Sequence, residues 1–344
     1  MNLKFTYISK LVLANFLAFA FLFIGLEGLG RGVAYLSLGP KIQRYMLWED
    51  EQFGWVLNTQ MIPQARQNRC NEEIHSVAPS HPLIIKSPSY KGKKTVMFLG
   101  DSYTHAHEVS SGKAYYDVFE SAAGGDVSVF AVGVGGYGTL QEYMALNTVY
   151  DQIKPDIVVW QLSGNDVENN VFEYEKASLV NNNERPRPYF NPQTGKIEIK
   201  NPGFFLLQHS DLFRFLFQKF LIVDGKFDLG LFLKIKKDFY PRGAKLGEFR
   251  RQGLEVLNQH LKKAMARYPG TKFYGFSVGG GYDQEFEQIF LQNGAGYFPV
   301  FHEKVRQIAD TDCRPWDVHW NHKGNRVAGK ALLQFVRQAE TNGD

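Results

Sequence analysis

Cysteine is nearly missing from this 344-residue chain, which holds only Cys70 and Cys313. Two thiols exclude a disulfide-built scaffold and a four-cysteine zinc site. Long runs of one charge are missing too: 39 Lys and Arg stand against 35 Asp and Glu, a formal net charge of +4. Without a dense basic stripe the chain does not read as a nucleic-acid binder. Apolar residues are not scarce, since 44% of the chain is hydrophobic and 22% charged, which excludes a disordered polymer. No internal repeat or low-complexity tract occurs. The length allows one large domain or two small ones.

What is present is unevenly spread. Residues 11–26 read LVLANFLAFAFLFIGL, with Asn15 the only clearly polar side chain, Lys4 and Lys10 before it and Glu27 and Arg31 after. In hydrocarbon such a run is stable as a helix, because the backbone must satisfy its own hydrogen bonds. It is shorter than the ~20 residues a full span prefers, so flanking residues with a snorkelling Lys10 would extend it. No A-x-A cleavage site follows, so residues 10–30 read as a retained transmembrane signal anchor in preference to a cleaved signal peptide. Lys4 and Lys10 are nearly balanced by Arg31, Lys41 and Arg44 across the run. The expectation is a cytoplasmic tail over residues 1–9 and the bulk of the chain on the extracytoplasmic (periplasmic) side.

Residues 31–93 read as an irregular juxtamembrane approach, broken by Pro63, Pro79, Pro82 and Pro88. Strands and helices then alternate across residues 94–340. Thr95–Leu99, Val127–Val132 and Ile157–Leu162 read as buried strands, with helices over residues 114–123 and 139–153 between them. The alternation resumes with a helix over 248–268, a strand over 272–276 and a final helix near 323–340. This pattern implies parallel βαβ units. Residues 167–246 interrupt it and read as an insertion or lid, with a hairpin near Gly195 and many aromatics (Phe172, Tyr174, Tyr189, Phe190, Phe204, Phe205). Those rings suit sugar stacking, acyl chains, a membrane-facing surface or a small core, with the core preferred.

In open parallel sheets ligands bind beyond the carboxyl ends of the strands. The first strand leaves into Gly100-Asp101-Ser102, where a tight turn can expose a serine hydroxyl. The second leaves into Gly133-Val134-Gly135-Gly136-Tyr137-Gly138, whose backbone N–H groups can face an oxyanion. That run also matches G-x-G-x-x-G, but it follows the second strand and lacks the acidic residue at the next strand's end, so nucleotide binding is not favoured. The third leaves into Ser163-Gly164-Asn165-Asp166, where an amide can donate to developing negative charge.

Together with the late Asp317-Val318-His319, these blocks resemble the SGNH (GDSL-type) hydrolase family in order and in strand-end placement, over roughly residues 94–338. The resemblance implies a three-layer α/β/α sandwich with a parallel central sheet, flavodoxin-like, and a serine esterase that needs no metal or other cofactor. Ser102 would be the nucleophile, His319 the base and Asp317 its partner. Ser102, Gly136 and Asn165 would form the oxyanion hole, with Asp101, Gly164 and Asp166 supporting. Gly164 abuts Asn165 directly, one residue closer than the family's G-x-N-D. The family's D-x-x-H is here D-x-H, a spacing some membrane-associated polysaccharide acetyl-modifying relatives resemble in their Asp-x-His-Trp pair. His322 is therefore the rival base.

Other motifs compete. Gly275-Phe276-Ser277-Val278-Gly279 fits G-x-S-x-G, but too little chain follows for an α/β-hydrolase, so a glycine-rich loop is preferred. His105, His107 and Glu108 crowd behind Ser102 without metal-ligand spacing, and read as loop or substrate-facing residues. Cys70 and Cys313 can form one disulfide beside the Asp317 loop if the compartment is oxidising, and two buried thiols are as plausible. The expected substrate is an acylated small molecule, glycan or lipid, with O-acetyl groups on cell-envelope carbohydrate in view. Acyl transfer at the same site and a non-catalytic sugar- or lipid-binding module are the alternatives.

Overall fold

The computed structural model describes residues 47–178, 185–202, 241–313 and 317–341 except 69, 192 and 280, together with 22, 24–29, 210, 213, 216 and 220. The chain divides into two units, one joining residues 43–202 to 240–344 and the other joining 1–42 to 203–239.

In the first unit, β1 (Leu47–Asp50), β2 (Gly54–Leu57), β3 (Gln64–Gln67), β4 (Glu73–Ser76) and β5 (Ile84–Lys86) precede β6 (Lys94–Gly100). Then come α1 (Ser102–His105), α2 (Tyr115–Ala123), β7 (Val127–Gly133), α3 (Thr139–Ile153), β8 (Ile157–Leu162), α4 (Gly164–Asn169) and α5 (Phe172–Ser178). A hairpin follows, β9 (Arg187–Asn191) and β10 (Lys196–Lys200), turning at Gly195 with its positive φ of 68°. The rest is α6 (Gly243–Arg267), β11 (Lys272–Ser277), α7 (Asp283–Gln292), β12 (Gly296–Phe298), α8 (Phe301–Arg306), β13 (Asp312–Cys313), β14 (Asp317–Trp320) and α9 (His322–Thr341).

The central sheet runs β12-β11-β8-β6-β7-β5. Its β6, β7, β8, β11 and β12 are parallel, but β5 joins the edge antiparallel to β7, with Ile84 opposite Val132. The sheet is thus mixed, a correction to the all-parallel expectation. An antiparallel β5 runs back toward the starts of β6 and β7, so residues 87–93 can reach β6 without the long crossover a parallel neighbour needs. The approach segment is also more regular than its prolines suggest. β1 pairs with β2 and β3 with β4, and Pro63, Pro79, Pro82 and Pro88 all fall between or just after strands.

Period-2 alternation along β6 divides the core between the two faces of the sheet. Met97 and Leu99 pack with Val149, Leu257 and Phe290 on the α3, α6 and α7 side. Val96 and Phe98 pack with Tyr115, Phe119 and Leu332 on the α2 and α9 side. Where the expected insertion begins, Tyr174 is buried and stacks on Phe249 at 5.6 Å, and Phe172 meets Tyr189 edge-on at 5.3 Å. Tyr174, Tyr189 and Phe249 are buried core rings, and Phe172 is half-buried beside them. Phe204 and Phe205 lie outside the described residues.

In the second unit residues 24–29 are helical and the Ser210 hydroxyl donates to Glu27 Oε2 at 2.7 Å. Among the described residues no helix is long and apolar enough to cross a membrane. Most of the 10–30 run lies outside the described residues.

Candidate active site

The end of β6 makes a turn that only a small residue allows. A Cβ on Gly100 would come within 2.5 Å of Gln161 Oε1 and of Thr104 Oγ1. The buried Gln161 side chain, on β8, instead uses Oε1 to accept from the Asp101 N–H (3.1 Å), the Thr104 N–H (3.2 Å) and the Thr104 hydroxyl (3.0 Å). Asp101 caps α1 by accepting from the Tyr103 N–H at 3.3 Å. Ser102 therefore opens a helix, where backbone N–H groups lack an intrahelical partner.

The structure brings Asp317 and His319 to Ser102 from the far end of the chain. Cys313 lies opposite Asp317 in the β13–β14 hairpin. Two residues apart on a strand, Asp317 and His319 share a face. Asp317 Oδ1 lies 2.7 Å from His319 Nδ1 and also accepts the His319 backbone N–H at 3.0 Å. His319 Nε2 lies 2.8 Å from Ser102 Oγ. Tyr103 braces the same strand, its hydroxyl donating to the Val318 carbonyl at 2.7 Å and its ring 4.8 Å from the imidazole. Burial alone would lower the His319 pKa, but the Asp317 bond and the charges of Glu108, Asp317 and Asp101 raise it to about 9.

The two glycine-bearing loops are tied to the segment around Ser102. Gly136 adopts a positive φ of 81°, a conformation glycine takes without Cβ strain. Its neighbour Gly135 is held on both sides: the Trp55 Nε1–H donates to its carbonyl at 3.0 Å, and its N–H donates to His105 Nδ1 at 3.3 Å. His105 can accept because burial, helped by the charge of His107, pushes its pKa down to about 3 and keeps the ring neutral. From the third loop, Asn165 Nδ2 donates to Asp101 Oδ2 at 3.1 Å, and the Ser163 hydroxyl donates to Asn165 Oδ1. An amide nitrogen carries two hydrogens, so that bond leaves Nδ2 a second donor. Asp166 Oδ2 accepts the Ser163 N–H at 2.7 Å and closes the turn at Gly164, while burial, with the charges of Glu142 and Asp101, pushes its carboxyl well up.

The rival residues are turned elsewhere. His322 Nδ1 lies 3.0 Å from Glu72 Oε2, and its Nε2 accepts the Ser110 N–H at 3.2 Å. Ser277 is buried at the end of β11, its hydroxyl oxygen accepting the Gly279 N–H at 3.1 Å. Glu108, Asp317 and His319 bring ligand-type atoms within 4.8 Å of one another. Both ring nitrogens of His319 are engaged, Nδ1 with Asp317 and Nε2 with Ser102. Cys70 and Cys313 form a disulfide.

Sequence reasoning passed over Gln161, Tyr103, Trp55 and the inward placement of His105 and Glu108. A glutamine inside the buried run IVVWQL was a readable signal for the first, since a buried amide needs partners. The others depend on contacts between distant segments.

No known family model and no curated protein matches the chain. Its fold is similar to several solved structures. The psychrotrophic esterase EstA from Pseudoalteromonas sp. shares 11% identity over 72% of this chain and 99% of its own, at a TM-score of 0.41. A carbohydrate acetylesterase family member from Sinorhizobium meliloti shares 16% over 71% and 98%, at 0.40. TesA shares 13% over 70% and 97%, at 0.40. Likeness this distant decides nothing about activity, which must be judged from the site's own geometry.

Proposed function

We propose that this chain is a serine hydrolase of the SGNH type that cleaves ester bonds through an acyl-enzyme on Ser102. The observation that carries the reading is the continuous contact from Ser102 Oγ to His319 Nε2 at 2.8 Å and from Nδ1 to Asp317 Oδ1 at 2.7 Å. Ser102 attacks the acyl carbonyl as His319 takes its proton, and Asp317 orients the ring and stabilises the imidazolium. The oxyanion is received by the N–H groups of Ser102 and Gly136 and the second Nδ2 hydrogen of Asn165. His319 then gives its proton to the departing alkoxide, and water releases the acyl group by the same path.

The compartment proposed is extracytoplasmic, with the apolar run at residues 11–26 as the anchor. The Cys70–Cys313 disulfide supports an oxidising location. In that setting O-acetyl esters of envelope carbohydrate are the substrate class we favour. Fluorophosphonate labelling tests the reaction. Label is expected on Ser102, and Ser102→Ala should lose the label and at least about 10³-fold of p-nitrophenyl acetate turnover. A wild-type protein that takes no label would instead be a binding module on this fold.

A further inference from the structure

We propose that Glu108 is a second carboxylate for His319, a positioning residue that shares with Asp317 the imidazolium formed when Ser102 loses its proton. The proposal rests on the reading of Ser102 and His319 as nucleophile and base.

Glu108 lies in the loop after α1 and is 5% exposed. Its Oε1 sits 3.5 Å from His319 Nδ1 and 2.9 Å from His107 Nδ1. The approach segment fixes the loop: Asn68 Nδ2 donates to the Glu108 carbonyl at 3.0 Å, and the Arg66 guanidinium donates to the His107 carbonyl. Burial would push the Glu108 carboxyl up, yet contact with His107 and the charges of His107 and His319 bring it below its ordinary value. It is therefore an anion out of water, which is costly unless a cation faces it.

The His319 imidazolium is such a cation, and the reaction forms it each time Ser102 is deprotonated. As the bond from Ser102 Oγ to the acyl carbon forms, the hydroxyl proton moves to His319 Nε2 and the ring becomes positive. Asp317 Oδ1 already accepts two N–H groups of His319, from the ring and from the backbone. Glu108 adds a second negative charge at the Nδ1 edge, where the same ring charge is felt. The other groups facing this imidazole are Asp101 and Tyr103 from α1, and His107 beside Glu108. Arg66 on β3 and Asp312 on β13 act at one remove, on Glu108 and on Asp317.

The test compares the full chain with Glu108→Gln and Glu108→Asp, by p-nitrophenyl acetate hydrolysis from acid to alkaline pH and by NMR titration of the His319 ring. With Glu108→Gln the rising limb of kcat/KM and the ring titration should both move to lower pH by about one unit. Turnover above that limb should fall about tenfold at unchanged KM. Glu108→Asp, which keeps the charge, should restore part of the shift. A merely structural role would lower activity without moving either titration. A labelled, active wild type whose Glu108→Gln variant keeps the same limb and ring titration overturns the role of Glu108 alone. A wild type that takes no fluorophosphonate overturns the reading of Ser102 and this proposal with it. Should Glu108→Gln fail to fold, Glu108→Asp decides, and a limb unchanged from wild type despite the shorter reach would count against the proposal.

Discussion

His319 and His322 are three residues apart and keep different company, and that difference sets the pH response of the site. His319 must be neutral to accept the Ser102 proton, yet its surroundings raise its pKa to about 9. Activity of the free enzyme should therefore climb through neutral pH and level off only in the alkaline range. Stability runs the other way. A group whose folded pKa exceeds its ordinary value of 6.5 contributes stability fully below about 6.5, and loses it as pH rises through about 9. Paired pH profiles of kcat/KM and of thermal midpoint check both directions. His319→Ala should abolish turnover, whereas His322→Ala, which loses only its Glu72 and Ser110 contacts, should keep most of it. The reverse result would move the base to His322. The candidates Ser102, Asn165, Asp317 and His319 could be read from short local motifs, the first two just past the ends of β6 and β8. Glu108 could not, because its reach to His319 exists only once the loop after α1 and the β13–β14 hairpin are folded together.

At the scale of elements, the β13–β14 hairpin is where the proposed chemistry and stability meet. β14 is short and among the described residues pairs only with the two-residue β13, so its backbone alone holds Asp317 weakly. Cys313, opposite Asp317, is tied to Cys70 in the turn between β3 and β4. Beside it, Glu72 of that turn reaches His322 at the start of α9. Replacing both cysteines by serine should cost about 2–5 kcal/mol of stability. It should also lower kcat more than KM, because the base loses its fixed distance from Ser102. Chemical denaturation and steady-state kinetics read the two effects separately, and unchanged kcat would show that β14 is positioned without the bridge. The strands β6, β7 and β8 and helices α2, α3 and α9 could be read from apolar periodicity. The pairings of β1 to β5 could not, since three- and four-residue strands between prolines carry too few alternations to fix partner or direction.

For the whole molecule, the regular alternation starting near Lys94 suggested a domain border that the packing does not respect. Trp55, Ile74 and Leu83 all precede that border and are buried to 2% exposure or less. Trp55 also accepts the Tyr137 hydroxyl on its carbonyl at 2.5 Å and carries the Arg187 guanidinium 4.9 Å from its ring. Through Gly135 it fixes the loop proposed to bind the oxyanion. Removing one buried tryptophan side chain typically costs about 3–5 kcal/mol, against a total of about 5–15 kcal/mol for a domain. Losing residues 43–93 would remove Trp55, the edge strand β5 and the Cys70 half of the disulfide together. A chain beginning at Lys94 should therefore show no cooperative melt and no esterase activity, whereas one beginning at Gln43 should keep both. The two are best compared in mild detergent, because residues 203–239 remain rich in Phe and Leu. A cooperative melt with activity from the shorter chain would make the approach segment an accessory to the fold; its absence would make that segment part of the catalytic domain.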